Sequence, residues 1–244
     1  GLSMYDGARF KNYTLQNGLL NALVNDVLET GEDSLLVAVN TCGLNMLVRG
    51  QMKKMALAKD SCAVINQFLK SNDGNVYATA DEGLYRIKQN RFEKLPAFIS
   101  PQKDPAVYLG TIAEYKDFLI FTTNDLRSYT GLYLYNKKTN AVTDILPQLK
   151  IFSLKSDRQG MVWISTSDQM MNLDTTALAR GKLVLIKPYA SFIKPGKFNP
   201  GSIVFNVYNE PFISSGSTGV IRYLKDGTTL RIGSPEPSDF AVEN

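Results

Sequence analysis

The chain has 244 residues, 44% hydrophobic and 20% charged, with a mean hydropathy of −0.14, which is enough apolar material for a sizeable core. No apolar run is long enough to span a bilayer, and the net charge of +4 is scattered rather than striped, which argues against a nucleic-acid surface. Histidine is absent, which removes Ser-His-Asp and Cys-His catalysis, histidine metal sites and a phospho-accepting histidine from this chain; with only Cys42 and Cys62, a Cys-rich zinc site is excluded as well.

In chain order, Gly1–Tyr5 and Asp6–Phe10 read as the last two strands of a repeat unit, a half-unit over residues 1–15. Beginning at Gly1, the chain reads as a piece of a longer protein, so that an export signal or membrane anchor would lie elsewhere. A first full unit spans about 19–56, with apolar runs at Leu20–Glu29, Ser34–Val39 and Gly43–Leu47. A second spans about 61–96, with Ala63–Leu69, Asp73–Thr79 and Gly83–Ile87. More degenerate copies cover about 107–146, through Phe118–Thr123 and Gly131–Tyr135, and about 200–233, through Pro211–Ser215 and Gly219–Tyr223. Between them lies a clear copy at about 149–188, with Ile151–Leu154, Asp157–Thr166 and Met171–Leu173. Asp239–Val242 would begin a further unit over 238–244.

Each copy reads as four strands joined by tight turns, repeated about every 40 residues, the spacing of four-stranded propeller blades. Asp73-Gly74 and Asp226-Gly227 are hairpin dipeptides in which glycine supplies the positive φ. Asp174–Gly181 breaks the pattern as one helical turn with an N-cap at its front and glycine behind. The fold class expected is all-β: a β-propeller of four-stranded antiparallel blades, five complete, with a half-blade at each end. The halves either pair to close a six-bladed ring or belong to a larger ring; exposed strand edges favour closure or a homodimer.

The spacing Leu154, Asp157, Gly160, Trp163, Ile164, Thr166 resembles the repeat of two-component-regulator propellers. Asn17-Gly18-Leu19 and Gly83-Leu84-Tyr85-Arg86 are similar to other parts of the same repeat. The resemblance implies the periplasmic sensor region of a hybrid two-component histidine kinase, of the kind that regulates polysaccharide utilisation. It also implies that a β-sandwich, a membrane helix and the kinase lie outside this chain, which would meet the membrane only through them. Trp163 itself is expected to be blade-packing core rather than a sugar platform.

Most acidic residues, among them Asp26, Asp73, Asp81, Glu82, Asp157 and Asp226, are expected in turns, where their side chains cap backbone N–H groups, and no carboxylate pair of a glycosidase stands out. Lys53-Lys54 and Lys137-Lys138 are read as solvated turn charges. No catalytic residue, metal site or cofactor is expected. A ligand site would lie at the end of the blades where the loops after each second strand and the links between blades emerge. The residues there that suit an oligosaccharide are Asn40, Asp81, Glu82, Asn124, Arg127, Tyr129, Asp168 and Phe192, of which Arg127 and Tyr129 stand out. Cys42 and Cys62 map to that end on adjacent blades; a periplasmic location would allow a disulfide, and two unpaired buried thiols are the reading the sequence favours. The function expected is a non-enzymatic extracytoplasmic sensor, its partners an oligosaccharide and the rest of the kinase. A protein-interaction scaffold is the alternative, and a polysaccharide hydrolase or lyase ranks below both.

Overall fold

The computed structural model describes residues 1–55, 62–88, 91–95, 107–125, 130–146, 151–166, 170–174, 177, 185–186, 200–215, 219–224 and 228–232. Among these the strands form one two-stranded and five four-stranded antiparallel sheets, each four-stranded sheet running in chain order. The hairpin is β1 (Leu2–Tyr5) and β2 (Phe10–Tyr13). Blade 1 is β3 (Val24–Gly31), β4 (Ser34–Val39), β5 (Leu44–Val48) and β6 (Gln51–Met55). Blade 2 is β7 (Ile65–Lys70), β8 (Val76–Ala80), β9 (Gly83–Lys88) and β10 (Arg91–Lys94). Blade 3 is β11 (Val107–Tyr115), β12 (Phe118–Asp125), β13 (Thr130–Asn136) and β14 (Val142–Leu146). Blade 4 is β15 (Ile151–Ser156), β16 (Val162–Thr166), β17 (Met170–Leu173) and β18 (Leu185–Ile186). Blade 5 is β19 (Pro200–Phe205), β20 (Pro211–Ser215), β21 (Gly219–Tyr223) and β22 (Thr229–Ile232). This is the β-propeller expected from the repeat. The strand expected at Asp239–Val242 lies outside the described residues, as does most of the helical turn; Ala177 is helical and its N–H donates to Asp174 Oδ1 at 3.1 Å, the N-cap expected.

The chain divides into two compact units, one of residues 1–112, 123–127 and 135–142 and the other of 113–122, 128–134 and 143–244. In the first, β4 and β8 are buried along nearly their whole length, because such a strand is covered on each face by a different neighbour: Val37 and Val39 of β4 pack on one side against Leu2 and Leu19. Leu36, Ala38 and Leu44 of blade 1 pack there against Ile65, Phe68 and Ala78 of blade 2. In the second unit Trp163 and Met170 of blade 4 pack against Ile203, Ile213 and Ile221 of blade 5, which makes Trp163 a core residue.

Packing alone leaves two sheets free to slide, and a repeated polar device fixes them. The first strand of blades 1, 2 and 4 carries a bulge, between Val24 and Asp26, Ile65 and Gln67, and Ile151 and Ser153. A bulge turns the following side chain out of its own sheet. Asp26 Oδ2 accepts the N–H of Phe68 at 2.7 Å and Gln67 Oε1 that of Ile112 at 3.0 Å, within the first unit. Ser153 Oγ accepts the N–H of Ile203 at 3.1 Å within the second. The bulged residues add to this: Asn25 donates to the Ile65 carbonyl (2.9 Å) and Asn66 to that of Leu109 (2.8 Å). Asp26 is therefore a strand residue and not the turn residue expected, since its side chain caps the next blade rather than its own backbone. Buried Asn45 works within its blade, accepting the Leu20 N–H at 2.8 Å and donating to the Gly18 carbonyl at 3.0 Å, which seats the Asn17-Gly18-Leu19 segment.

The turns after the first strands of blades 2, 4 and 5 share one form. In blade 2 Ser71 and Asn75 close the hairpin and Gly74 sits at φ +81°; in blade 4 Asp157 and Met161 close it and Gly160 sits at φ +79°. Blade 5 uses Asn206 and Glu210, with Asn209 at φ 63° in the glycine's place, a conformation Asn tolerates better than most residues. Lys53 and Lys54 lie exposed in β6 rather than in a turn, on a blade's outermost strand, where lysine discourages edge pairing. Lys137 and Lys138 do lie in a turn and Lys138 is exposed, but the Lys137 side chain is only 11% exposed, lies 3.5 Å from Asp73 Oδ2 and donates to Ser71 Oγ at 3.2 Å.

Partial burial pushes the Asp73 carboxyl up, but the Asn75 N–H, the Tyr77 hydroxyl, Ser71 and Lys137 outweigh it and hold it at about 2, below the ordinary 3.8. The folded value is the lower one, so the unfolded chain binds the proton more readily. The stabilisation is complete above pH 3.8 and is lost as pH falls through about 2. Acid titrations of stability in wild type and Asp73→Asn should therefore converge below pH 2 and separate above it, the variant being the less stable; parallel curves would sink this account.

Candidate functional site

The loop end of blades 1 and 2 is built from the β4–β5 loop, the approach to β7 and the β8–β9 turn. In the first, the Asn40 N–H donates to the Leu23 carbonyl (2.9 Å) and the Asn40 carbonyl accepts from Asn21 Nδ2 (3.0 Å), which holds the loop against the approach to β3. Two residues on, Cys42 is bonded to Cys62 with their Cα atoms 4.9 Å apart. Both residues are exposed, which corrects the reading of two unpaired buried thiols. The physical reason lies beside them: the Gly43 N–H donates to the Ala63 carbonyl at 3.3 Å, bringing the two segments together.

After Ala63 the chain enters β7, and at Val64 it meets the β8–β9 turn. The Asp81 N–H donates to the Val64 carbonyl at 3.1 Å, and Asp81 Oδ1 accepts from Asn66 Nδ2 at 2.9 Å. The adjoining Glu82 carboxyl is pushed above the ordinary carboxylate range by desolvation, with the charge of Asp81 adding to it and Lys94 opposing. Asn40, the disulfide, Asp81 and Glu82 thus form one stretch of surface, its backbone fixed at Asn40 and Asp81 and the Asp81 carboxylate held by Asn66. Such a surface can accept and donate hydrogen bonds to hydroxyl groups, and its rigidity limits the entropy lost on binding. Of the other expected site residues, Asn124 belongs to β12 with its side chain outside the described residues, and Arg127, Tyr129, Asp168 and Phe192 lie outside them altogether. Among the described residues no group of three or more Cys, Asp or Glu could hold a metal ion, and no helix is long and apolar enough to cross a membrane.

The hairpin end holds what sequence reasoning missed. In the second unit a cleft of about 310 Å³ opens between the turns of blades 4 and 5, lined by Asp157, Trp163, Asn172, Tyr208, Glu210 and Tyr223 among others. The expected loop-end residues contribute nothing to it. The repeat signature Asp157…Trp163 marks its floor, but only the packing of two blades makes a cleft of it.

No protein-family model matches the sequence, and no curated protein matches it. Solved structures do. The chain is similar to PorZ, a bacterial surface component of the type-IX secretion system of Porphyromonas gingivalis, with a TM-score of 0.71 and 14% identity over 95% of this chain and 38% of that one. It is similar to virginiamycin B lyase of Staphylococcus aureus (TM-score 0.69, 13% identity, 95% of this chain and 76% of that one). It is also similar to the extracellular domain of a hybrid two-component system of B. thetaiotaomicron (TM-score 0.66, 17% identity, 90% of this chain and 29% of that one). At these identities the likeness is one of fold, that of the β-propeller. The chain spans well under half the length of PorZ and of the two-component domain.

Proposed function

We propose that this chain is a non-enzymatic recognition propeller working outside the cytoplasm, the sensing part of a two-component regulatory system, and that its ligand is an oligosaccharide taken up at the loop end of the blades. The observation that carries the reading is the exposed Cys42–Cys62 disulfide at that end, since such bonds persist in oxidising compartments and are rare in the cytosol. The similarity to the extracellular domain of a hybrid two-component system supports it, as does the resemblance of the Leu154 to Thr166 spacing to the regulator repeat. The similarity to a lyase favours catalysis less, because this chain has no histidine to serve as base. The similarity to a secretion-system surface component favours a second reading, a scaffold that binds another protein.

Thermal-shift measurements on the purified chain with a panel of oligosaccharides test the proposal. Saturable stabilisation by one glycan is expected, reduced in Glu82→Gln and lost in Arg127→Ala or Tyr129→Ala. No shift with any glycan would favour the scaffold, and turnover of a glycan would overturn both readings.

A further inference from the structure

We infer that the hairpin-end cleft between blades 4 and 5 is a second binding site, and that it takes a neutral, hydroxyl-bearing ring such as a single saccharide unit. The charges around it are already compensated. Asp157 accepts the N–H groups of Gln159 and Met161, both at 2.9 Å, the indole of Trp163 at 3.0 Å and Asn209 Nδ2 at 3.2 Å. Glu210 accepts Arg222 and Asn206, both at 2.7 Å. A cationic ligand would need a carboxylate with fewer donors around it, and a phosphate would need a cation, whereas the described lining holds no Lys or Arg: the Arg222 guanidinium is held by Glu210, and that of Arg158 donates to the Val207 carbonyl at 3.2 Å.

What the cleft does offer is a neutral acceptor. Asn172 is 7% exposed and lines the cleft; its Nδ2 donates to Met161 Sδ, while its buried Oδ1 has no hydrogen-bond partner among the described residues. A buried amide oxygen left in this state costs free energy that a ligand hydroxyl would recover. Beside it Tyr208 is 68% exposed at the mouth, and an aromatic face covers the apolar C–H face of a pyranose while the amide meets its hydroxyl edge. The cleft at the corresponding place in the first unit makes the contrast. It is larger, about 460 Å³, but among the described residues Leu36, Met46, Val76 and Ile87 line it with no aromatic ring, and no buried polar atom without a partner faces it.

Trp163 is the chain's single tryptophan and lines the cleft, so its fluorescence reports occupancy there. The full chain would be titrated with glucose, galactose, mannose, N-acetylglucosamine and their disaccharides. A saturable change in Trp163 emission is expected with at least one sugar, with affinity about tenfold weaker in Tyr208→Ala, whose exposed position spares the fold. No saturable change with any sugar, or one undiminished in Tyr208→Ala, would overturn the inference. Glycan stabilisation that depends on Glu82 or Arg127 and leaves Trp163 emission unchanged would uphold the loop-end proposal and sink this one. The converse pattern would do the reverse.

Discussion

Replacing Asp157 by alanine is expected to lower the unfolding free energy by about 4 kcal/mol, measured by urea unfolding followed in far-UV circular dichroism. The side chain is 8% exposed, and its two oxygens receive two backbone N–H groups, the Trp163 indole and the Asn209 amide. Removing it leaves the buried indole donor and the turn donors without acceptors, at about 1–3 kcal/mol for each one that water cannot reach. It also opens a gap under Trp163, which packs against Ile203 and Ile213. Asp157→Asn keeps one oxygen for the two backbone donors and sets an amide group against the indole, so about half the loss is expected. A loss below about 1 kcal/mol in the alanine variant would show that the turn re-forms without its acceptor and that the repeat signature is not what holds it.

The second large effect concerns Cys42 and Cys62. The bond joins positions 20 residues apart, and the chain-entropy account of cross-links gives about 3 kcal/mol for a loop of that size. Treatment with dithiothreitol, or the double substitution Cys42→Ser with Cys62→Ser, should lower the urea midpoint accordingly without changing far-UV circular dichroism at zero denaturant. Hydrogen exchange should rise first at Thr41 and Asp81, whose N–H groups are bonded at 2.7 and 3.1 Å within the loop-end patch. Equal stability with and without reductant would mean that the bond constrains nothing the fold does not already hold.

The blades were legible because apolar runs of four to nine residues alternate with turn residues whose chemistry is local. Asp73-Gly74 and Asp157…Gly160 close hairpins through bonds spanning four residues, so their meaning sits inside a short window of sequence. Asp26 and Gln67 were illegible for the opposite reason. Their partners are 42 and 45 residues away, and an aspartate inside a strand is no signal until the bulge that turns it outward is known. Lys137 was misread on the same grounds, since its partners Ser71 and Asp73 are a whole blade distant. At the candidate sites, the loop end was found by topology, which the repeat sets. Asn172 was missed because a buried amide oxygen facing a cleft is a property of two packed blades, and nothing near residue 172 announces it.

The bulge device also has a direction. Asp26, Gln67 and Ser153 each belong to the earlier blade and bind the first strand of the later one. During synthesis the acceptor is therefore in place, on a blade already formed, when the strand that needs it leaves the ribosome. Each new blade meets a template rather than an equal partner, so the chain can assemble in the order it is made, and a circular permutant that reverses the order of two such blades should fold more slowly even if it reaches the same end state.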